Sequence, residues 1–219
     1  MFHAIPGILS VEEAAAIREE AAALQFADGK ATAGRHARGV KNNEQAAVSP
    51  ELDAICTKVR NALSAHAGFM SVARPARFSR FLLARYQPGM EYGSHVDDAM
   101  MAGVRTDVSF TVFLSPLDSY EGGGLVIEDA LEDRLIRLDA GSVFVYPSNT
   151  VHRVEPVLSG ERLAVVGWAQ SQVRDPARRQ ILFDLDLAVE EAAAAAPGSD
   201  HFKRLARSRS NLLRMWADI

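Results

Sequence analysis

The spacing of hydrophobic residues changes twice along the chain, and the first of the three resulting zones predicts helices. From residue 1 to about residue 70, apolar side chains recur every three or four positions, which is the period of an amphipathic helix. Two stripes have this spacing: Ala14, Ile17, Ala21 and Leu24, and then Leu52, Ile55, Val59 and Leu63. Residues 28–47, which lie between the stripes, are polar and show no clear period. We therefore expect this zone to be mostly helical.

Both predicted helices begin with recognisable capping residues. Ser10 and Glu13 form a capping box, in which the serine oxygen accepts from the third backbone amide and the glutamate reaches back. Ser49 is a typical N-cap, and Pro50 suits the first turn because its missing N–H has no helical partner there. We expect Gly68 to end the second helix, since glycine often follows the last helical turn.

The second zone, residues 76–172, consists of short apolar runs that predict β-strands. The runs are rich in β-branched and aromatic residues, and glycine-containing turn signals separate them. The predicted strands are Arg80–Tyr86, Thr106–Leu114, Leu125–Glu128, Arg134–Leu138, Val143–Tyr146 and Arg162–Gln170. Many short strands with no helices between them predict an antiparallel barrel or a double-sheet jelly roll.

The helical period returns from residue 175 to the end of the chain. Asp175 and Pro176 repeat the combination of N-cap and first-turn proline, and Ser199 can cap the last helix. The last helix is basic outside its apolar stripe, which favours a solvated face over a patch for nucleic acid or membrane. We predict a core domain over residues 1–174, with a helical part over 1–70 and a β-helix core over 76–172, and a helical extension over 175–219.

Composition narrows the class of protein without naming an activity. The 219 residues carry a net charge of -4, which gives no reason to expect a nucleic-acid partner. Cys56 is the only cysteine, so no internal disulfide can form, and a reducing compartment is expected. No secretory signal is visible, and no apolar run approaches the roughly 18 residues of a membrane helix. We therefore expect a cytoplasmic protein without a membrane partner.

Four residues in the β zone suggest metal chemistry. His95 and Asp97 would project to the same side of a strand, because side chains two residues apart share a face, and a turn could also bring them together. His152 would come from a strand far away in the sequence, which in a jelly roll can lie across the barrel mouth. Two imidazoles and one carboxylate form a facial triad for Fe(II) that leaves open coordination positions. The candidate metal ligands are therefore His95, Asp97 and His152.

Arg162, ten residues after His152, adds a permanently charged group at the start of an apolar strand. An unpaired guanidinium would be costly there, and the carboxylate of a ligand such as 2-oxoglutarate would satisfy it. Zinc fits the ligand types alone, but it does not account for the arginine. Three other hypotheses stay open at this point. They are a cupin-like metal protein that does not use 2-oxoglutarate, a sensing module without catalysis, and a homo-oligomer formed through the flanking helices.

The sequence around these four residues resembles the Fe(II)/2-oxoglutarate dioxygenases of the prolyl-hydroxylase type, and within them the bacterial PKHD-type hydroxylases. Further similar segments extend over the whole chain: 28–34, 40–43, 113–116, 120–123, 125–129, 168–171, 174–175, 182–185 and 211–216. The resemblance implies a mainly β fold with a double-stranded β-helix core and helices packed outside it. It implies Fe(II) held by His95, Asp97 and His152, and Arg162 on the distal carboxylate of 2-oxoglutarate.

The resemblance also implies a reaction and its cofactors. Decarboxylation of 2-oxoglutarate to succinate with O2 would be coupled to hydroxylation of an unidentified substrate, and L-ascorbate would be the supporting reductant. The substrate would be a small molecule or a peptidyl residue, and some relatives have been tied to iron uptake. The chain departs from the family pattern at Gly124, where an acidic residue is expected, and at Phe113, where some relatives use a tyrosine beside the arginine. Tyr86, Ser109 or Thr111 could supply that hydroxyl, and Tyr86 is the candidate 2-oxoglutarate contact.

Two further expectations concern the substrate side of the site. Met90, Tyr92, Met100, Met101 and Trp168 could line the mouth of the barrel. The segment from residue 98 to residue 105 could be a mobile lid or an ordinary loop.

Overall fold

A computed structural model describes residues 2–32, 34 and 37–218. Ala33, which belongs to the similar segment 28–34, and His36 lie outside the described residues. The α-helices are α1 (Val11–Ala22), α2 (Pro50–Ala65), α3 (Ala67–Ala73), α4 (Pro176–Ala195) and α5 (Asp200–Trp216). Short 3-10 helices cover Gly29–Thr32, Ala37–Val40 and Leu117–Ser119. Within the described ranges, no helix is both long enough and apolar enough to cross a lipid bilayer.

The strands follow the order of the chain. They are β1 (His3–Ile5), β2 (Phe26–Asp28), β3 (Lys41–Asn42), β4 (Glu44–Ala46), β5 (Pro75–Tyr86), β6 (Glu91–His95), β7 (Met100–Met101), β8 (Val104–Arg105), β9 (Val108–Phe113), β10 (Tyr120–Gly122), β11 (Leu125–Ile127), β12 (Arg134–Ile136), β13 (Val143–Pro147), β14 (His152–Val154), β15 (Val157–Gly160) and β16 (Arg162–Ser171). The six strands predicted from the sequence correspond to β5, β9, β11, β12, β13 and β16.

Two antiparallel sheets form the core of the molecule. The larger sheet has seven strands in the order β1-β13-β9-β16-β5-β4-β2, and the smaller has five in the order β12-β11-β14-β6-β3. Strands that are distant in sequence are neighbours in both sheets, as β9 and β16 show. The prediction of a double-sheet jelly roll with helices packed outside is confirmed.

The seven-stranded sheet is buried on both faces, which explains its nearly continuous apolar strands. One face packs against the helices through Leu83, Phe110, Val112, Val143 and Val145, among others. The opposite face packs against the five-stranded sheet, and Tyr86, Phe113, Phe144 and Tyr146 lie there with Leu125 and Ile127. Successive residues of a strand point to opposite faces, so each of these strands serves two apolar layers. The candidate site lies on the layer between the sheets.

The N-terminal zone contains the two predicted helices, and it also contains strands that the sequence pattern did not predict. Four short strands, β1 to β4, come from this zone and add to the edges of the two sheets. Residues 41–46 supply β3 to one sheet and β4 to the other. Edge strands of two or three residues are too short to show a period, which is why the sequence pattern missed them.

The helix starts agree with the predicted caps, whereas one predicted end was wrong. The Ser10 hydroxyl accepts from Glu13 N at 3.1 Å, and Ser49, Asp175 and Ser199 cap α2, α4 and α5 in the same way. Helix α2 ends at Ala65, and Gly68 lies inside α3 instead of terminating α2. His66 adopts an extended backbone and its Nδ1 accepts from Phe69 N, so this residue both ends α2 and begins α3.

The C-terminal helices α4 and α5 pack against each other, and α4 also contacts α3. A buried ion pair fixes this arrangement: Arg74, which follows α3, donates to Asp186 of α4 at 2.5 Å, and their side chains are 5% and 9% exposed. Arg209 of α5 donates to the other oxygen of Asp186 at 2.6 Å. One carboxylate therefore joins three helical segments. The proposed division at residue 174 stays a prediction.

Candidate metal centre

The three predicted ligands meet at one end of the layer between the sheets. His95 is the last residue of β6 and His152 is the first residue of β14, while Asp97 follows β6 by two residues. The Asp97 carboxylate oxygens lie 4.0 Å from Nε2 of His95 and 4.0 Å from Nε2 of His152. One ligand atom from each of the three residues lies within 4.8 Å of the others. The structure thus brings together all three residues that the sequence singled out.

The positions of the two histidines differ from the expected arrangement across the barrel mouth. His95 and His152 are direct cross-strand partners in the five-stranded sheet, because β6 and β14 are adjacent. Asp97 lies in the irregular segment beyond the end of β6, so the two-residue strand period is not what brings it beside His95. Adjacent strands hold the two imidazoles more firmly than two separate sheets would, since backbone hydrogen bonds fix their register.

A β-bulge in β6 sets the faces of the site residues. His152 pairs with His95 and Val154 pairs with Tyr92, so β6 has one more residue than β14 between the two pairs. This extra residue places Tyr92 and His95, which are three apart, on the same face. Their rings stack with centroids 3.6 Å apart and planes 17° from parallel. The bulge therefore gives the imidazole of His95, a candidate metal ligand, an aromatic neighbour.

Backbone carbonyl groups select the tautomer of both histidines. His95 Nδ1 lies 2.9 Å from Gly93 O, and His152 Nδ1 lies 3.0 Å from Thr150 O. A carbonyl oxygen can only accept, so each Nδ1 must carry the hydrogen and donate it. The lone pair of the neutral imidazole is then on Nε2, which is the atom that faces Asp97. Such an outer hydrogen bond also fixes the ring orientation of a ligating histidine.

Asp97 is held by a serine of the opposite sheet. Ser109 of β9 donates to Oδ2 of Asp97 at 2.6 Å, and the hydroxyl groups of Ser109 and Ser148 are 2.8 Å apart. A hydroxyl has one hydrogen, so Ser148 is the donor to Ser109 when Ser109 donates to Asp97. Burial and, to a smaller extent, the neighbouring His152 lower the pKa of His95 to about 4. His95 is therefore neutral at pH 7, as metal ligation requires.

Arg162 lies deep in the same pocket with its charge uncompensated. The residue is 2% exposed, and its Nε has no hydrogen-bond partner. The guanidinium lies 5.1 Å from the ring of Tyr86 and 5.5 Å from the ring of Phe113, and no ion pair of the described residues includes it. Leaving a guanidinium buried among aromatic rings is costly, so the position is adapted to an anion.

Tyr86 is the nearest of the three predicted hydroxyl-bearing residues to this guanidinium. It is the cross-strand partner of Arg162, and burial raises the pKa of its phenol, which stays protonated as a donor. Ser109 is already engaged by Asp97, and Thr111 pairs with Val166, four residues further along β16. Phe113 takes the expected place beside the arginine without a hydroxyl. The part of Tyr86 in 2-oxoglutarate binding stays a prediction.

The predicted mouth residues are only partly in the pocket. Tyr92, Met101 and Trp168 line it, whereas Met90 packs in the layer between the sheets and Met100 is 58% exposed on the surface. Consecutive residues of β7 point in opposite directions, which separates the two methionines. The segment from residue 98 to residue 105 contains a short hairpin, and its role as a mobile lid stays a prediction. Its strands β7 and β8 form a hairpin, and Ala102 and Gly103 turn with positive φ angles of 51° and 75°.

A polar wall of the pocket was missed as a functional feature by the sequence analysis. Its residues are Thr32, Lys41, Asn43, Gln45 and Arg80. Four of them come from the polar segment without a period: β3 carries Lys41, β4 carries Gln45, and Asn43 lies between the two strands. The similar segment 40–43 was the one available signal, but it did not indicate a place in the pocket.

Gly124 does not line the pocket, although it departs from the family pattern. A Cβ atom at this position would lie 2.3 Å from Cδ1 of Leu135 and 3.4 Å from a carboxylate oxygen of Glu155. Leu135 is 58% exposed, so an acidic residue would displace a surface leucine and approach another acid. The departure changes the outer edge of the five-stranded sheet and leaves the metal centre unaffected.

The donor set fits a divalent iron ion and a dicarboxylate. Two neutral imidazole nitrogens and one carboxylate are the ligands of the Fe(II) facial triad. The buried guanidinium of Arg162 provides a donor fork for a carboxylate in the same pocket. The pocket therefore contains suitable residues for both Fe(II) and a dicarboxylate.

Comparison with known proteins agrees with this geometry. Residues 81–170 match the model of the 2OG-Fe(II) oxygenase superfamily, and residues 176–218 match that of the PKHD-type hydroxylase C-terminal domain. A PKHD-type hydroxylase of Maricaulis maris is 48% identical over 193 residues, 88% of each chain. One of Picosynechococcus sp. is 43% identical over 219 residues, the whole of both chains. The crystal structure of a Pseudomonas putida prolyl-4-hydroxylase shares the fold, with a TM-score of 0.53 and 21% identity over 78% of this chain and 92% of that one.

Proposed function

Because this chain belongs to the PKHD-type hydroxylases of the 2OG-Fe(II) oxygenase superfamily, we propose that His95, Asp97 and His152 hold its iron and that Arg162 binds 2-oxoglutarate. Membership makes the protein an oxygenase and implies Fe(II), 2-oxoglutarate and O2 as its cofactors. When bound, iron and 2-oxoglutarate supply the oxidising chemistry, which couples decarboxylation to succinate with hydroxylation of a substrate C–H bond.

The buried, uncompensated charge of Arg162 is the observation that carries this proposal. A structural arginine at 2% exposure would normally pair with a carboxylate of the same protein. Arg162 instead points its guanidinium into the pocket that contains the three metal ligands. The distal carboxylate of 2-oxoglutarate supplies the missing partner, and Tyr86 offers a phenol beside it.

The protein itself contributes orientation and shielding. Gly93 O and Thr150 O aim Nε2 of the two histidines, and Ser109 fixes one oxygen of Asp97. Arg162 and Tyr86 hold the far end of the co-substrate, so that its reacting end is presented in one orientation. Apolar side chains around the guanidinium exclude water and strengthen its attraction for a carboxylate.

The remaining parts of the proposal rest on the family resemblance and on composition. They are hydroxylation of a small-molecule or peptidyl substrate, a link to iron uptake, and L-ascorbate as the supporting reductant. We also propose a cytoplasmic location, no nucleic-acid or membrane partner, and self-association through the flanking helices. The division into a domain over residues 1–174 and an extension over 175–219 belongs to this set.

Calorimetric titration of the anaerobic Fe(II) protein with 2-oxoglutarate tests the assignment of Arg162. Arg162→Met removes a charge-assisted hydrogen-bonding group worth about 1.5–3 kcal/mol, so affinity for 2-oxoglutarate should fall by roughly 10- to 100-fold. Iron affinity should be unchanged, because the guanidinium is not a ligand. Arg153→Met, at a surface arginine paired with Glu128 and Asp133, is the matched control and should bind 2-oxoglutarate normally.

Asp97→Ala tests the metal assignment independently. This variant should lose iron binding and succinate formation while keeping its fold, since Asp97 lies beyond a strand end and not in the apolar core. Succinate release under air in the parent protein separates the proposal from a cupin-like metal protein that does not use 2-oxoglutarate. Unaltered co-substrate affinity in Arg162→Met, or retained turnover in Asp97→Ala, contradicts the assignment.

A further inference from the structure

Lys41 is a buried cation on the polar wall of the pocket. It lies on β3, the edge strand of the five-stranded sheet, and is 5% exposed. Its cross-strand partner is Tyr92, and Nζ lies 4.9 Å from the centre of that ring. Tyr92 in turn stacks on His95. An ammonium group is thus one aromatic ring away from a predicted metal ligand.

The protein provides a hydrogen-bond acceptor for only part of this ammonium group's donor capacity. Nζ donates to the hydroxyl of Thr32 at 3.1 Å, and it has three N–H groups. The ion pairs of the described part of the chain do not include Lys41. Arg80, whose guanidinium donates to Thr32 O at 3.0 Å, lines the same pocket and adds a second positive charge. Arg80 is solvent-exposed, so the unfavourable charge is that of the nearly buried Lys41, which an anion would offset.

The charges around Lys41 also favour the binding of an anion at this wall of the pocket. Burial and, to a smaller extent, the Arg80 charge lower the pKa of Lys41 to about 8, although Asp97 and Asp28 oppose the shift. Asp97 is a proposed iron ligand, so its negative charge is shared with a cation when the metal is bound. Bound metal therefore leaves this wall more positive than the ligand-free protein, and an incoming anion would be attracted there.

Lys41 is not placed to bind the same 2-oxoglutarate carboxylate that is assigned to Arg162. Arg162 lies on β16, at the centre of the seven-stranded sheet, and is surrounded by Tyr86 and Phe113. Lys41 approaches the pocket from the edge of the other sheet, on the side of Tyr92. The pocket therefore has two separate cationic positions, and the proposed co-substrate accounts for one of them.

We propose that Lys41, assisted by Arg80, binds a carboxylate of the substrate and so holds the molecule to be hydroxylated beside the metal. This inference rests on the proposed function, which assigns Arg162 to 2-oxoglutarate. A carboxylate suits the site because one ammonium and one guanidinium provide the donors for a single negative charge. Tyr92, Met101 and Trp168 supply an apolar surface for the rest of the molecule. The substrate class is therefore a carboxylic acid with an apolar body.

Binding of matched acids and amides tests this inference without knowledge of the substrate. The protein is loaded with Zn(II), which does not support turnover, and saturated with 2-oxoglutarate, whose binding is recorded first. Benzoate and benzamide then represent a small-molecule source, and N-acetyl-glycyl-aspartyl-glycinamide and its asparagine counterpart represent a peptide source. Calorimetry reports binding, as does the fluorescence of Trp168 when the other tryptophan is removed by Trp216→Phe in every protein compared. The acid of at least one pair should bind about tenfold more tightly than its amide, a difference of roughly 1.4 kcal/mol.

Lys41 variants show whether this preference comes from the lysine. Lys41→Met should abolish the preference for the acid and leave 2-oxoglutarate binding unchanged, whereas Lys41→Arg should retain part of the preference. Lys58→Met, at an exposed lysine, serves as the control. Equal binding of acid and amide in every pair, no binding at millimolar concentration, or a preference that persists in Lys41→Met overturns the inference. Weakened 2-oxoglutarate binding in Lys41→Met overturns it too, whereas failure of the parent protein to bind 2-oxoglutarate contradicts the proposed function instead.

Discussion

Ser109 donates a hydrogen bond of 2.6 Å to Asp97, so the seven-stranded sheet orients a carboxylate that extends from the smaller sheet. Outer hydrogen bonds of this kind typically contribute 10- to 100-fold to metal affinity. Ser109→Ala should therefore weaken Fe(II) binding by about 10-fold or more, because Asp97 loses its fixed orientation. Competition with a chromogenic chelator under anaerobic conditions measures this affinity. Ser142→Ala, at another buried serine, should bind iron normally, and equal affinities in both variants would argue against the orienting role.

The buried charge of Arg162 should reduce the stability of the ligand-free protein. Replacing a buried, uncompensated charge with an apolar side chain of similar volume is often stabilising by about 1–4 kcal/mol. Arg162→Met should therefore raise the free energy of unfolding in the absence of 2-oxoglutarate, as urea denaturation measures. Added 2-oxoglutarate should stabilise the parent protein and have little effect on the variant. A variant that is less stable than the parent would indicate a structural role for the arginine.

Asp186 should be essential for the attachment of the C-terminal helices. Asp186→Asn removes the negative charge that Arg74 and Arg209 share, and it leaves the buried Arg74 without a counter-ion. Breaking such a buried pair costs about 3 kcal/mol, which urea denaturation should resolve. Asp184→Asn is the control, because Asp184 is exposed and accepts only from Gln180. Equal stability of the two variants would show that other contacts hold the extension in place.

Lys41 should make the stability of the ligand-free protein depend on pH above neutrality. Its pKa is about 8 in the folded state against 10.5 ordinarily, so between these values the unfolded chain binds more protons. The free energy of unfolding then rises with pH across this window, and the gain is complete above pH 10.5. The groups that face Lys41 are Arg80, Asp28, Asp97 and Tyr92, so the comparison is made with Lys41→Met. From pH 8 upward, the free energy of unfolding of the parent should rise relative to that of Lys41→Met. A difference that does not change with pH would contradict the lowered pKa of Lys41.

The sequence predicted the central strands and the helix caps because these features depend on local chemistry. The strands β5, β9, β13 and β16 are long enough to show their composition, and serine and aspartate caps act within three residues. Gly68 was misjudged because His66 ends one helix and begins the next, a geometry that no single residue type announces. The strands β2, β3 and β4 were missed since two or three residues contain no periodicity.

The site was predictable as far as its residue types were distinctive. His95, Asp97, His152 and Arg162 have few alternative uses in combination, and the structure places all four around one pocket. Lys41 was not singled out, because a lysine in a polar segment is usually a solvated residue. Its burial depends on the pairing of β3 with β6, which is a tertiary contact. The sequence likewise gave no sign that the two histidines would be cross-strand partners.

The additional residue in β6 has a consequence for how this enzyme can diversify. With a regular pairing, Tyr92 and His95 would point to opposite sides of the sheet, and the stacked ring would be lost from the metal centre. Insertion or deletion of one residue between positions 92 and 95 would therefore remove this stacking. Edge strand β3 and the hairpin of β7 and β8 lie outside that stretch, so substitutions of Lys41 or Met101 would change the wall of the pocket while the candidate metal ligands stay in place.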